Sequence, residues 1–512
     1  MNTSQEAPKP KSPMHYRISR EPTTRGEIWA WWSYMMAIEP ISIAVLQLFM
    51  PLILEALPVI VGHVQGNRLL ACTGSPNEKC VLFELGALNM TGTGFSYTII
   101  ALSVALQALF FICFGALADY GSNRRHFLAG TTVLGTIFCV ASLLIRGKFA
   151  AWIAGFLAVF IMISFGASLM LYNSYLPLLA ENHPENTNFH SDDPIEVSKR
   201  REMVANDLST KSFMLGYGTS IIALIVFAAY LTYIDKSFSA LRYMITACGL
   251  FWGLGSIYCL VKLKSRAGRP LPAKASIWTF SLKKNYRTIK KCNQLPNAFR
   301  YLLSYFLFAD GCNTIGQVAI IFARDVLDMS YDKLILCAII APISGIIGNF
   351  FFFYVQKLFK FTSKTMLFWI LTNLILMTMY GTIGVFTTVI GLHYQWEMYA
   401  MAGIYGFNMG AMQSFSRVIF AELVPTGDES EFFSLYAITD KGSSWLGPAM
   451  QALVSQYLPD QHYGFLLLGI MILGSLPLLF WGFDPVKGKQ EAEEFAATAS
   501  TPNTPDKAEM TI

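Results

Sequence analysis

At 512 residues, 54% of them hydrophobic and 14% charged, the chain carries far more apolar material than one soluble core needs, which argues against an ordinary globular enzyme of this length. The formal net charge of +5 comes from bases clustered in loops and gives no ground for a nucleic-acid partner. A membrane-crossing helix takes ~20 apolar residues, because the hydrocarbon layer is ~30 Å thick and a helix rises ~1.5 Å per residue. Twelve stretches meet that requirement: Ile28–Gly62, Phe95–Ala118, Phe127–Ile145, Phe149–Leu179, Leu208–Ile234, Leu241–Leu263, Phe299–Ala323, Leu334–Val355, Met366–Leu392, Met398–Phe420, Phe432–Leu458 and Tyr463–Phe483. The first contains Pro51 and Pro58, which predict a kink or an interfacial turn. The chain therefore reads as an all-α polytopic membrane protein of two six-helix halves.

Basic residues flanking short loops are retained on the cytoplasmic side. Lys9, Lys11, Arg17, Arg20 and Arg25 precede the first span, Arg124 and Arg125 join spans two and three, and Lys199, Arg200 and Arg201 join spans four and five. Lys262 to Arg300 holds many more bases and no acid. Both termini are expected to face the cytoplasm, with the loop bases meeting anionic lipid headgroups. The expected organisation is a disordered tail at 1–28, a first half at 29–262 with a lumenal loop at 63–94, a basic cytoplasmic loop at 263–298, a second half at 299–483 and a disordered tail at 484–512. No apolar run before Ile28 suggests a cleaved leader.

In the lumenal loop, Cys72 and Cys80 either form a disulfide or stay as two free thiols, and Asn89-Met90-Thr91 is a glycosylation acceptor close to the membrane. Gly345–Gly348 and Gly403–Gly406 are small-residue runs suited to close helix packing, and Trp29, Trp31 and Trp32 suggest an interfacial belt. No P-loop, metal-ligand cluster or nucleophile elbow appears, so neither a cofactor nor an enzymatic activity is expected.

Three echoes relate the halves: Ser209–Gly216 with Thr439–Gly447, Ala180-Glu181 with Ala421-Glu422, and Glu39-Pro40 with Asp310-Gly311. The end of span two, Gly115-Ala116-Leu117-Ala118-Asp119-Tyr120-Gly121-Ser122-Asn123-Arg124-Arg125, resembles the signature of the major facilitator superfamily, with Gly121 one residue closer to Asp119 than usual. The expected gating set is Gly115, Asp119, Arg124 and Arg125, because a carboxylate at a membrane face pairs with bases or helix ends in one transport state and releases them in another. An exposed turn with ordinary inside-positive charge is the alternative.

The stretch from Val424 through Asp428-Glu429-Ser430-Glu431-Phe432-Phe433-Ser434-Leu435-Tyr436 to Pro448 resembles the autophagy-related vacuolar amino-acid effluxers of fungi, a branch of that superfamily. Tyr305–Gly311, Ser212–Gly218 and Tyr172–Pro177 carry the same resemblance, which spans nearly everything between Trp29 and Phe483. It implies a multi-pass protein of the vacuole membrane exporting leucine and other neutral amino acids to the cytosol after autophagic breakdown. A carrier for a sugar or drug, or a transporter-like sensor, stays open from the residues alone.

Ionisable groups inside a bilayer are costly enough to be functional candidates. Asp310, Lys441, Asp440 and Glu39 are the ones singled out here. An amino acid needs an anion for its ammonium and a cation for its carboxylate, roles open to Asp310 and Lys441, with Tyr217, Asn313, Tyr436, Ser443 and Ser444 as polar contacts and Trp445 as an apolar wall. Asp310 and Lys441 equally suit a structural pair. Glu39 or Asp310 would serve a proton, if protons are the coupling ion.

Overall fold

The computed structural model describes residues 21–65, 67–72, 80–85, 88–90, 92–120, 123–189, 194–233, 238–266, 284, 294–329, 331–443 and 462–500. Helix α1 (Arg25–Pro40) starts behind Thr24, whose hydroxyl accepts a bond from the Glu27 amide. It runs without a break through a π-helical stretch, Ile41–Phe49, into α2 (Met50–Val61). Pro51, just after the π stretch, supplies no amide to the helical ladder and its ring crowds the carbonyl four residues before it, and widening to π geometry ahead of it accommodates this. The expected irregularity thus falls in the turns that lead into Pro51, while Pro58 stays within α2.

Five short strands follow: β1 (His63–Val64), β2 (Asn67–Ala71), β3 (Cys80–Val81), β4 (Phe83–Leu85) and β5 (Leu88–Met90). They form a β2-β1-β3 sheet and a β4-β5 hairpin, and the Cys72–Cys80 disulfide closes the loop. Asn89 lies on β5, paired with Glu84.

The remaining helices are α3 (Gly92–Phe114), α4 (Asn123–Ala141), α5 (Ala150–Asn173), α6 (Leu176–Glu181), α7 (Pro184–Thr187), α8 (Pro194–Tyr233), α9 (Phe238–Lys262), α10 (Pro296–Asp325), α11 (Tyr331–Phe359), α12 (Ser363–Ile383), α13 (Gln395–Glu422), α14 (Glu429–Ser443), α15 (Tyr463–Pro477) and α16 (Pro485–Ser500). Among the described residues, nine helical stretches are long and apolar enough to cross a membrane. The other three expected spans are α10, α13 and α14, which carry Asp310, Arg417 and Asp440.

Small residues set the closest helix contacts. A Cβ at Gly348 would stand 1.8 Å from the Phe407 carbonyl oxygen, and one at Gly406 would stand 2.0 Å from that of Ala341, so α11 and α13 touch through their backbones. Trp31 departs from the expected belt: it is fully buried, stacks on Tyr172 at 4.6 Å and donates Nε1–H to the Tyr172 carbonyl, while Trp29 is exposed.

The start of α1, the segment after α9 and the C-terminal segment meet on one face, called here the terminal face. Arg266 donates to Glu27 and Thr23, Lys264 pairs with Glu21, and the Asp484 amide donates to Asn297. Two expectations change. Residues 21–28 are ordered, with Thr23, Glu27 and Ile28 buried, and Pro485–Ser500 is a helix where a disordered tail was expected. Helix α16 buries Ala492 and Ala496, one turn apart, and ties down through Lys489 to Glu422 and Ser198 and through Glu491 to Asn297. Lys264, Arg266 and Lys284 likewise pair with acids of this chain, where lipid headgroups were the expected partners of the loop bases.

Candidate functional site

Hydrogen bonds joining described residues of the two halves gather toward the terminal face. The outermost set is built on Asp119. Its Oδ1 accepts from the Ser430 amide at 2.7 Å and its Oδ2 from the Glu431 amide at 2.8 Å, so a carboxylate of the first half caps the first turn of α14 in the second. A helix start leaves amides without intrahelical acceptors and carries partial positive charge, which explains the attraction. Arg124 ties the same point together, reaching Asp119 at 2.5 Å, Glu429 at 2.8 Å and the Ser430 hydroxyl at 3.0 Å. Gly115 permits the approach, since a Cβ there would lie 2.5 Å from that of Ser434. Arg125 stands apart; it is half-buried and approaches the Val261 carbonyl, whereas Arg124 is the base that reaches Asp119.

Lys284, from the segment between the halves, reaches Asp428 at 2.6 Å and Glu431 at 2.7 Å and sits 4.9 Å from the centre of the Tyr120 ring. Burial alone would lower its pKa, but Asp428 and Glu431 more than offset this and hold the ammonium well above the usual lysine range. With the folded-state pKa raised, its contribution is complete at neutral pH and is lost only as pH rises past the ordinary lysine value. Tyr120 belongs to the first half and the two acids to the second, so this lysine is a clasp across the closed face. Lys284→Gln is expected to raise the population open at this face about tenfold, roughly 1–2 kcal/mol for a partly exposed pair. Lower disulfide trapping of a Ser209→Cys/Ser414→Cys pair would register it, and unchanged trapping would contradict the clasp.

The second half closes by a related device with the roles exchanged. Glu202 on α8 accepts from the Ser363 amide at the start of α12, and Asn206 Nδ2 donates to the Ser363 hydroxyl at 2.6 Å. Here the acid lies on the fifth span and the receiving helix end on the ninth, whereas Asp119 ends the second span and the helix end it caps starts the eleventh.

Deeper in the bundle lies Arg417 of α13. Its Nε and NH2 groups donate to the Ser209 hydroxyl at 3.2 and 2.8 Å, NH2 also reaches the Ser209 carbonyl, and NH1 reaches Asn173 Oδ1 at 2.9 Å. Phe213, Trp31 and Tyr172 surround the guanidinium at 4.5, 5.3 and 5.7 Å from their ring centres. Its partners are neutral, and it forms no salt bridge with a described residue. Glu39 on α1 is the opposite case. It is 95% buried, packs beside Gly216 of α8, and makes no hydrogen bond or salt bridge with a described residue; Arg417 is the charge whose field it feels. Tyr217, next to Gly216, approaches Gln413 Oε1 across the halves at 3.4 Å.

Among the other expected residues, Asp310 is fully buried on α10 with half-buried Asn313 one turn further on. Asp440 accepts from the Tyr305 hydroxyl at 3.1 Å, and Tyr436 stacks on Tyr305 at 4.2 Å. The side chains of Lys441 and Ser443, and Ser444 and Trp445 entirely, lie outside the described residues. Arg417 is the functional candidate the sequence reading passed over. Its signal was present, a lone arginine three residues inside the span ending at Phe420.

A bundle of twelve spans in two halves, joined at one face by paired charges and helix ends, is the build of a transporter of the major facilitator superfamily. Solved structures agree: the proton:xylose symporter XylE, bound to 6-bromo-6-deoxy-D-glucose, matches with a TM-score of 0.62 at 15% identity over 92% of this chain and 98% of its own. A bacterial homologue of the iron transporter ferroportin, in an outward-facing state, matches at 0.59 with 10% identity over 89% and 98%. The sequence profile of the family described as "Vacuole effluxer Atg22 like" matches residues 23–493. Autophagy-related protein 22-1 of Phaeosphaeria nodorum is 30% identical over 93% of each chain, and autophagy-related protein 22 of Coccidioides immitis is 30% identical over 93% of this chain and 89% of its own. The chain belongs to the Atg22-like vacuole effluxer family; it is a membrane transporter and not an enzyme.

Proposed function

We propose that this protein exports amino acids, leucine and other neutral ones among them, from the vacuole lumen to the cytosol by alternating access, with its terminal face toward the cytoplasm. The reading rests on one observation. Two opposite charges, Glu39 from the first half and Arg417 from the second, are buried within the bundle without an ion-pair partner among the described residues. Uncompensated charges in a bilayer are expensive, and a zwitterion offers what each lacks. An ammonium suits Glu39 and a carboxylate suits the forked donors of Arg417. Their helical neighbours, Ser209 and Gly216, are seven residues apart on α8, ~10 Å along the axis, so the substrate engages them in sequence as the terminal face opens. Glu39 is also the group proposed to carry a coupled proton.

The state described here has its terminal face closed. Opening it frees Arg417 from Ser209 and Asn173, and the carboxylate takes their place. The test is release of preloaded amino acids from vacuoles isolated with and without this protein. Faster release of leucine in its presence supports the reading. Equal release, or a difference confined to sugars, would overturn it.

A further inference from the structure

Glu39 and Arg417 leave a gap that one substrate cannot span. The ammonium and carboxylate of an amino acid sit on one carbon, with about 2.5 Å between the nitrogen and the carboxyl carbon, whereas the α8 residues beside the two charges are ~10 Å apart along the helix axis. An ammonium held at Glu39 therefore leaves its carboxylate short of Arg417. A second donor is needed at the level of Glu39.

Gln413 of α13 stands there. Its Oε1 accepts from the hydroxyl of Tyr217, the residue after Gly216, against which Glu39 packs. The Tyr217 phenol lies in the fields of both Glu39 and Arg417, which sets this contact near both charges. Gln413 faces the interior, because Ile404, exposed on the outer side of α13, is nine residues away and hence ~180° around the helix. Arg417 is four residues further on, on the same face and ~6 Å nearer the terminal face. Gln413 points inward and is still only half-buried, so open space adjoins it between the halves. With Oε1 engaged by Tyr217, Nε2 is turned elsewhere, and it makes no hydrogen bond with a described residue. Two N–H donors remain.

We infer that Gln413 is a substrate-binding residue, an inference that rests on the amino-acid reading above and deepens it. Its Nε2 holds the carboxylate of an amino acid whose ammonium is at Glu39, and Arg417 takes that carboxylate over as the terminal face opens. The order suits the donors. A neutral amide holds a carboxylate less tightly than the charged fork of a guanidinium, so the hand-over runs downhill toward the terminal face.

The experiment measures leucine exchange by the full-length protein in vesicles, over a range of leucine concentrations, for the wild type, Gln413→Leu and Tyr217→Phe. Gln413→Leu is expected to raise the KM for leucine about tenfold, the worth of one hydrogen bond to a charged group, with kcat changed much less. Tyr217→Phe breaks the bond between the halves and keeps the amide, so its KM should rise far less. 3-Methylbutylamine, which is leucine without the carboxylate, separates binding from a structural role. It should inhibit the wild type and Gln413→Leu equally, because Gln413 acts on the missing group. If melting curves show Gln413→Leu unfolded, Gln413→Met, closer in shape, decides. Wild-type exchange with an unchanged KM in the folded variant, equal effects of Tyr217→Phe and Gln413→Leu, or inhibition by the amine weakened as much as leucine binding would overturn the role of Gln413 alone. No leucine exchange by folded wild type would overturn the transport reading, and this inference with it.

Discussion

Arg417→Gln is expected to cut amino-acid efflux at least tenfold while leaving the thermal midpoint nearly unchanged. Glutamine can keep a hydrogen bond to Ser209 or Asn173, so the bridge between α13 and α8 survives in part while the charge goes. A buried charge is seldom a net source of stability, and its neutral replacement is often tolerated or even stabilising. The loss should therefore appear in transport and not in folding. Arg417→Lys restores the charge without the planar fork and should recover only part of the activity. Initial efflux rates over a range of leucine concentrations, read beside melting curves in the same vesicles, check this. Wild-type kinetics for Arg417→Gln would reduce the residue to a structural tie.

Asp119→Asn is expected to slow transport by about tenfold with substrate binding intact. The carboxylate accepts from Arg124 and from two amides of α14, and an amide in its place supplies one acceptor where two are needed. Removing one member of a buried, hydrogen-bonded charge cluster costs about 3–5 kcal/mol, here charged to the closed terminal face alone, enough to shift a two-state balance more than 100-fold. Disulfide trapping of the Ser209→Cys/Ser414→Cys pair should fall accordingly. A loss of leucine binding as large as the loss of rate would instead place the substrate near this loop.

Much of this was legible before any coordinates. Span count and the two-half layout follow from hydropathy and repetition, and a short polar signature drew attention to Gly115, Asp119 and Arg124, because each is encoded locally. What was missed depends on distance or on a boundary. Lys284 becomes meaningful only when the chain returns it to Asp428 and Glu431, over 140 residues away. Arg417 sat near enough to a span end to pass for a flanking base. Trp31 belongs to a buried stack with Tyr172, which no periodicity within α1 reveals. The C-terminal segment was misjudged on composition: Ala492 and Ala496 at helical spacing, behind Pro485 at the helix start, were the local signals of α16.

Counterflow in proteoliposomes isolates the central claim from vacuolar physiology. Vesicles containing the purified protein are loaded with unlabelled leucine and diluted into a trace of labelled leucine. The expected result is a transient accumulation of label that unlabelled neutral amino acids outside suppress, that xylose outside leaves unaffected, and that Glu39→Gln and Arg417→Gln abolish. Accumulation absent from the wild type, in protein whose melting curve shows it folded, would contradict amino-acid transport by this chain.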